Sequence, residues 1–221
     1  MDVLNEEEFD FYREWIEKKW VVEEKKNQLN VEDYELKILI LASVLAENDL
    51  SFTGTIKTMC EWLGINGVKT TNKDKLRNAI ANLVSKGYIV AKEVEKKITI
   101  IITKKGLKND RTIRLRKSWI QTMKQFKDEK ISISWIQLLK VFIYIYDLPS
   151  GRIITNKKIA DDLCISENTV LKAIKVFGII KEFGNFAVYV GKKVIRKDLG
   201  GGKYVTIGTT HNLRVSAFEI N

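Results

Sequence analysis

Two clusters of hydrogen-bonding side chains fall opposite apolar lines at helical spacing. Lys73, Lys75, Arg77, Asn78 and Asn82 oppose Leu76, Ile80 and Leu83, and Glu167, Asn168, Thr169, Lys172 and Lys175 oppose Val170, Ile174 and Phe177. Arg and Lys match the O6 and N7 acceptors of guanine, Asn matches the N6/N7 edge of adenine, and Thr offers a methyl to thymine. Side chains of these types on one helical face can read the edges of base pairs. Lys157 and Lys158, and the run Lys192, Lys193, Arg196, Lys197 and Lys203, are candidates for phosphate contacts instead.

Other chemistries fail on spacing or on count. Gly200-Gly201-Gly202-Lys203 ends in Tyr204 and lacks a glycine five residues before Gly202, so it is no phosphate loop and reads as a turn. The single histidine, His211, follows the expected last strand and excludes any centre that needs two imidazoles. Cys60 and Cys164, one in each half, read as small core residues in a reducing compartment. Asp161-Asp162 and Glu6-Glu7-Glu8 have no partner constellation and read as solvated faces. The expectation is a binding protein rather than an enzyme, with no cofactor and no metal.

The charge is distributed unevenly. The 221 residues include 38 Lys plus Arg against 28 Asp plus Glu, a formal net charge of +10. Residues 1–30 carry −4, residues 31–104 carry +2, and residues 105–130 and 131–221 carry +6 each. An acidic front and a basic rear imply a polyanionic partner met mainly by the second half. The start, Met1 to Glu8, is acidic where a secretory signal is basic and then apolar, and no apolar run reaches the ~20 residues of a membrane span. The expected location is cytoplasmic.

The elements that must position these residues recur at a spacing of 100. Thr55 to Ile65 matches Thr155 to Ile165 in pattern, and Leu76 to Ile80 matches Val170 to Ile174 if the first copy has about six more residues in its turn, over Asn66–Thr71. In the second copy, Ile131–Tyr146 reads as a buried helix, stopped by Pro149-Ser150-Gly151. Thr155 caps a short helix with Ile159, Ala160 and Leu163 inward, Cys164-Ile165 turn, and Ser166 caps the next helix. After Gly178 the pattern turns to strands over Phe186–Val190, Val194–Arg196 and Lys203–Ile207. The first copy runs parallel: a helix over Val31–Glu47, the Thr55–Leu63 helix, a third helix capped by Asn72, and a hairpin of Tyr88–Val94 and Ile98–Thr103. Helix, helix, turn, helix and hairpin describe a winged helix.

The run Ile159-Ala160, Leu163-Cys164-Ile165-Ser166, Val170, Ile174 resembles the helix-turn-helix signature, which has glycine where Cys164 stands. The chain is similar to tandem winged helix-turn-helix DNA-binding proteins, and its architecture resembles two-winged-helix replication initiators of plasmids and phages. The resemblance implies that the second helix of each pair enters the major groove while the first crosses the backbone.

Two further segments complete the expectation. Phe9, Tyr12, Ile16 and Trp20, with Phe11 and Trp15, mark an amphipathic helix over residues 1–30 that packs on the first winged helix or forms a dimer contact. Arg111–Lys117 reads as an edge strand, and Trp119, Ile120, Met123 and Phe126 as a helix leading into the second copy. The expected fold class is mainly α with small β-wings (α+β): an N-terminal helix (1–30), a first winged helix (31–117), and a linker helix with a second winged helix (118–221). The expected function is sequence-specific binding of double-stranded DNA, in transcriptional regulation or at a replication or partition site of a mobile element. The alternative is a protein-interaction module of a replication or conjugation assembly, with a homodimer or another protein engaged through the N-terminal aromatics.

Overall fold

The computed structural model describes residues 8–12, 15–16, 18–21, 26–29, 32–45, 51–103, 112–147, 153–180, 186–198 and 204–217. The chain is a mixed α+β protein of two compact units, Met1–Lys117 and Ser118–Asn221. Among the described residues, no helix is long and apolar enough to cross a membrane.

The first unit contains β1 (Glu8–Tyr12), β2 (Lys18–Val21), β3 (Lys26–Leu29), α1 (Asp33–Leu45), β4 (Ser51–Thr55), α2 (Ile56–Leu63), α3 (Thr70–Ser85), β5 (Ile89–Val94), β6 (Lys97–Ile102) and β7 (Thr112–Arg116). The second follows with α4 (Lys117–Gln125), α5 (Trp135–Tyr146), β8 (Ile153–Ile154), α6 (Asn156–Leu163), α7 (Glu167–Ile180), β9 (Phe186–Asp198) and β10 (Tyr204–Ala217). Both units share one plan of helix, short strand, helix, turn, helix and hairpin. In each, the short strand pairs with the second strand of the hairpin, giving antiparallel orders β4-β6-β5 and β8-β10-β9.

The apolar helices form the two cores. Leu36, Ile38, Leu39, Ile40 and Leu41 of α1 are fully buried, as are Leu139, Val141, Phe142 and Ile143 of α5. Such all-round burial follows from sequences without a polar face. In the second unit Phe142 meets Trp119 at 5.2 Å and Phe177 at 6.1 Å between ring centroids, both edge to face.

Local chemistry sets the boundaries of the repeated helices. Thr55 and Thr155 cap α2 and α6, their side chains accepting from the amides of Thr58 and Lys158 at 3.1 Å. Both helices end in the left-handed conformation, at Gly64 (φ 66°) and Cys164 (φ 52°). Cys164 thus stands where the first copy has glycine. It is half-buried at a helix end rather than in the core, its thiol donating to the Asp161 carbonyl at 3.3 Å. Cys60 is buried inside α2, at the position equivalent to Ala160. A Cβ at Gly67 would stand 3.0 Å from the Cys60 Cβ, so the turn after α2 packs closely on the helix there.

The six additional residues of the first copy divide between loop and helix. Three lengthen the turn, and three extend α3 backwards, so that Leu76 is its seventh residue while Val170 is the fourth of α7. Asn72 is therefore no cap. The N-cap is Lys69, without a side-chain bond, because Asn66 organises the turn: its Oδ1 accepts from the Val68 amide (3.0 Å) and its carbonyl from Asn72 Nδ2 (2.8 Å). The β5–β6 turn is Glu95-Lys96, both at positive φ (49° and 65°) as a two-residue hairpin requires, and the second strand starts at Lys97 rather than Ile98.

The N-terminal helix is replaced by strands. β1 pairs antiparallel with β7, Phe9 opposite Leu115 and Phe11 opposite Ile113, all four buried. Glu8 and Asp10 face Arg116 and Arg114 in the register. Phe9 and Phe11 also satisfy a period of two, and a complementary strand a hundred residues away selects it over the helical period. Trp15 and Ile16 are buried just beyond, Trp15 5.1 Å from Phe11 between ring centroids. Arg111–Lys117 is thus a paired strand over Thr112–Arg116.

In the second unit α7 runs through Gly178 to Ile180, and the two strands expected around Gly191 are one, β9. β10 extends ten residues past Ile207, which puts His211 inside a strand, opposite Lys192 and Ile154. The Pro149-Ser150-Gly151 stop and the Gly200–Lys203 turn lie outside the described residues.

Candidate nucleic-acid interface

Ser166 starts α7: its Oγ accepts from the Thr169 amide at 3.1 Å and bonds the Thr169 hydroxyl at 2.9 Å. Val170, Ala173, Ile174 and Phe177 then face the core. Asn168, Leu171 and Lys175, spaced by three and four residues, are exposed on the opposite face. Thr169 is half-buried beside its partner Ser166. Lys172 is half-buried too, its Nζ donating to the Ser132 carbonyl at 3.1 Å, which ties α7 to the segment before α5. Leu171, 42% exposed, was not among the sequence candidates because it carries no polar group. Its spacing from Asn168 and Lys175 is the signal that finds it.

On α6, Lys157 is exposed, while Lys158 Nζ lies 2.6 Å from Asp162 Oδ1. Tyr144 donates its hydroxyl to Asp162 Oδ2 at 2.5 Å. Asp162 is therefore a bridge between α5 and α6, contrary to the expectation of a purely solvated carboxylate.

β9 carries Lys192, Lys193, Arg196 and Lys197, opposite His211, Thr210, Thr206 and Val205 of β10. β8 pairs with β10 only at His211 and Asn212. From Lys193 to Asp198, β9 thus belongs to a two-stranded ribbon that continues past β8 for about 20 Å at the usual rise per residue. Lys203 lies outside the described residues.

The first unit places its cations differently. The exposed line opposite Leu76, Ala79, Ile80 and Leu83 is Asp74, Asn78, Ala81 and Ser85, which holds no cation. Lys73 is half-buried near Cys60, whose thiol is pushed up by burial, with the Lys73 charge opposing and Glu61 adding. Lys75 lies 5.7 Å from the centroid of the Tyr34 ring, which Lys37 also approaches, at 4.7 Å. Burial pushes Lys37 below the ordinary lysine value and Asp33 opposes this. Arg77 is paired with Glu93 of β5 at 3.1 Å. Asn78 and Asn82 are exposed, the Asn82 carbonyl accepting from the Lys86 amide and the Ser85 hydroxyl. Of the five side chains singled out on α3, Asn78 stands on the central exposed line. The cations flank it and meet groups of their own unit.

Among the described residues no three His, Cys, Asp or Glu side chains are grouped to hold a metal ion. No protein-family model matches the chain, and no curated protein matches it.

Proposed function

We propose that the chain is a sequence-specific double-stranded DNA-binding protein of two winged helices, with the second unit making most of the contact. The observation that carries this is the exposed line Asn168, Leu171, Lys175 on the helix that follows the Thr155-capped helix and its turn. In a helix-turn-helix that helix enters the major groove, where an amide, an apolar group and an ammonium each have a distinct partner. The basic β9–β10 ribbon and the exposed Lys157 supply charge for phosphates. Binding alone accounts for these features, as in a regulator of transcription or a protein acting at a replication or partition site of a mobile element.

The first unit supports a second role. The line Asp74, Asn78, Ala81, Ser85 lacks the charge for a phosphate surface, and Val90 and Ile101, opposite each other on β5 and β6, are exposed. That surface suits a protein partner, a second copy of the chain among the possibilities. Gel-shift titrations on plasmid or genomic fragments test the DNA reading. Saturable binding that survives competitor DNA is expected; no binding at low salt, or binding indifferent to sequence, overturns it.

A further inference from the structure

We infer that Leu171 reads the 5-methyl group of a thymine, beside an adenine read by Asn168, an inference that rests on the DNA-binding reading of the second unit. Leu171 is the fifth residue of α7, in the half of such a helix that lies nearest the base edges. It is 42% exposed, although the helix already buries Val170, Ala173, Ile174 and Phe177 toward its own core. The thymine methyl is the one apolar group that the edges of the four bases offer in the major groove, so it is the group there that an outward leucine can match.

The surroundings of Leu171 favour this occupant over a protein. Its exposed neighbours on the same face are Glu167, Asn168 and Lys175, and the cores of protein–protein interfaces are poor in both lysine and glutamate. Spacing gives the register. Asn168 and Leu171 are separated by three residues, about 4.5 Å along the helix axis at the standard rise, close to the ~3.4 Å between stacked base pairs. The Asn168 amide can pair with N6 and N7 of adenine while Leu171 meets a thymine in the adjoining pair. The target of the second unit therefore contains an adjacent A and T at the centre of its contact.

The test uses the full chain to select duplexes from a random library, then replaces each thymine of the enriched site singly with deoxyuridine, which removes only the methyl. One replacement is expected to weaken binding about three- to five-fold, the size of one methyl lost from an apolar contact. Leu171→Ala, an exposed change to a strong helix former, should bind the thymine and deoxyuridine duplexes equally. Its circular dichroism and melting temperature verify the fold. An enriched site in which every deoxyuridine is tolerated, or in which Leu171→Ala shows the same loss as the unsubstituted chain, overturns this inference and leaves the DNA reading standing. If no duplex is enriched, the DNA reading fails and the inference falls with it.

Discussion

Arg77 Nη1 lies 3.1 Å from Glu93 Oε2, so the one arginine of α3 is held by the hairpin of its own unit. Both side chains are about half exposed, and a pair of this kind contributes at most about 1 kcal/mol. Its consequence is for charge rather than stability, since the guanidinium is already matched. Arg77→Ala should change duplex affinity less than about two-fold and stability by under ~1 kcal/mol. Lys175→Ala should weaken binding by roughly three- to ten-fold. Parallel titrations of the two variants compare the units directly.

The two left-handed helix ends make opposite predictions. Gly64 has φ 66° and open space where a Cβ would stand, so Gly64→Ala costs only the backbone term, about 1 kcal/mol. Cys164 already bears that term at φ 52°, and its thiol gains only a weak bond to Asp161. Cys164→Gly should raise stability by roughly 0.5–1 kcal/mol. Urea denaturation of the three proteins measures both changes.

Glu35 is 1% exposed at the start of α1, where Lys86 reaches both of its oxygens (2.9 and 2.7 Å) and the Glu32 amide adds a third bond. Lys86→Met strands that carboxylate with one partner and, because the Lys86 side chain is itself one-third exposed, should cost about 2 kcal/mol, less than the ~3–5 kcal/mol of a fully buried pair, read as a lowered denaturation midpoint. Glu35→Gln together with Lys86→Met should recover part of the loss, because no buried charge then remains unpaired.

Burial holds the Cys60 thiol above its ordinary value, with Lys73 opposing and Glu61 adding. The sign follows from proton uptake: in alkaline solution the unfolded thiol ionises first, so the folded state binds more protons and stability falls as pH rises. The unfolding free energy of the unsubstituted chain should decline more steeply above the ordinary thiol range than that of Cys60→Ala. Thiol labelling should also modify half-buried Cys164 before Cys60.

The elements legible in the sequence are those decided locally. Thr55 and Thr155 announce their helices through cap chemistry, and the apolar runs of α1 and α5 announce burial. What escaped depends on distant partners. Phe9 and Phe11 fit two periods, and only Ile113 and Leu115 decide between them. β4 is a polar stretch that becomes a strand because β6 pairs with it, Thr53 Oγ1 and Thr99 Oγ1 meeting at 3.0 Å. The helical spacing on α3 located the cations, yet Tyr34 and Glu93, on other elements, determine which way two of them lean. Leu171 was hidden for a different reason. Its side chain is apolar, so hydrogen-bonding chemistry does not mark it.

If the second unit carries the phosphate contacts, the salt dependence of duplex binding reveals it most directly. The affinity of the full chain is compared with that of two sets of glutamine variants, one at Lys157, Lys192, Lys193 and Arg196 and the other at Lys73, Lys75 and Arg77. The logarithm of affinity should fall linearly with that of salt concentration, with a slope reduced by about 1 for each contacting cation removed from the second unit. The first-unit set should leave the slope unchanged. An equal or larger reduction from Lys73, Lys75 and Arg77, or no binding by the unsubstituted chain at low salt, would contradict that assignment.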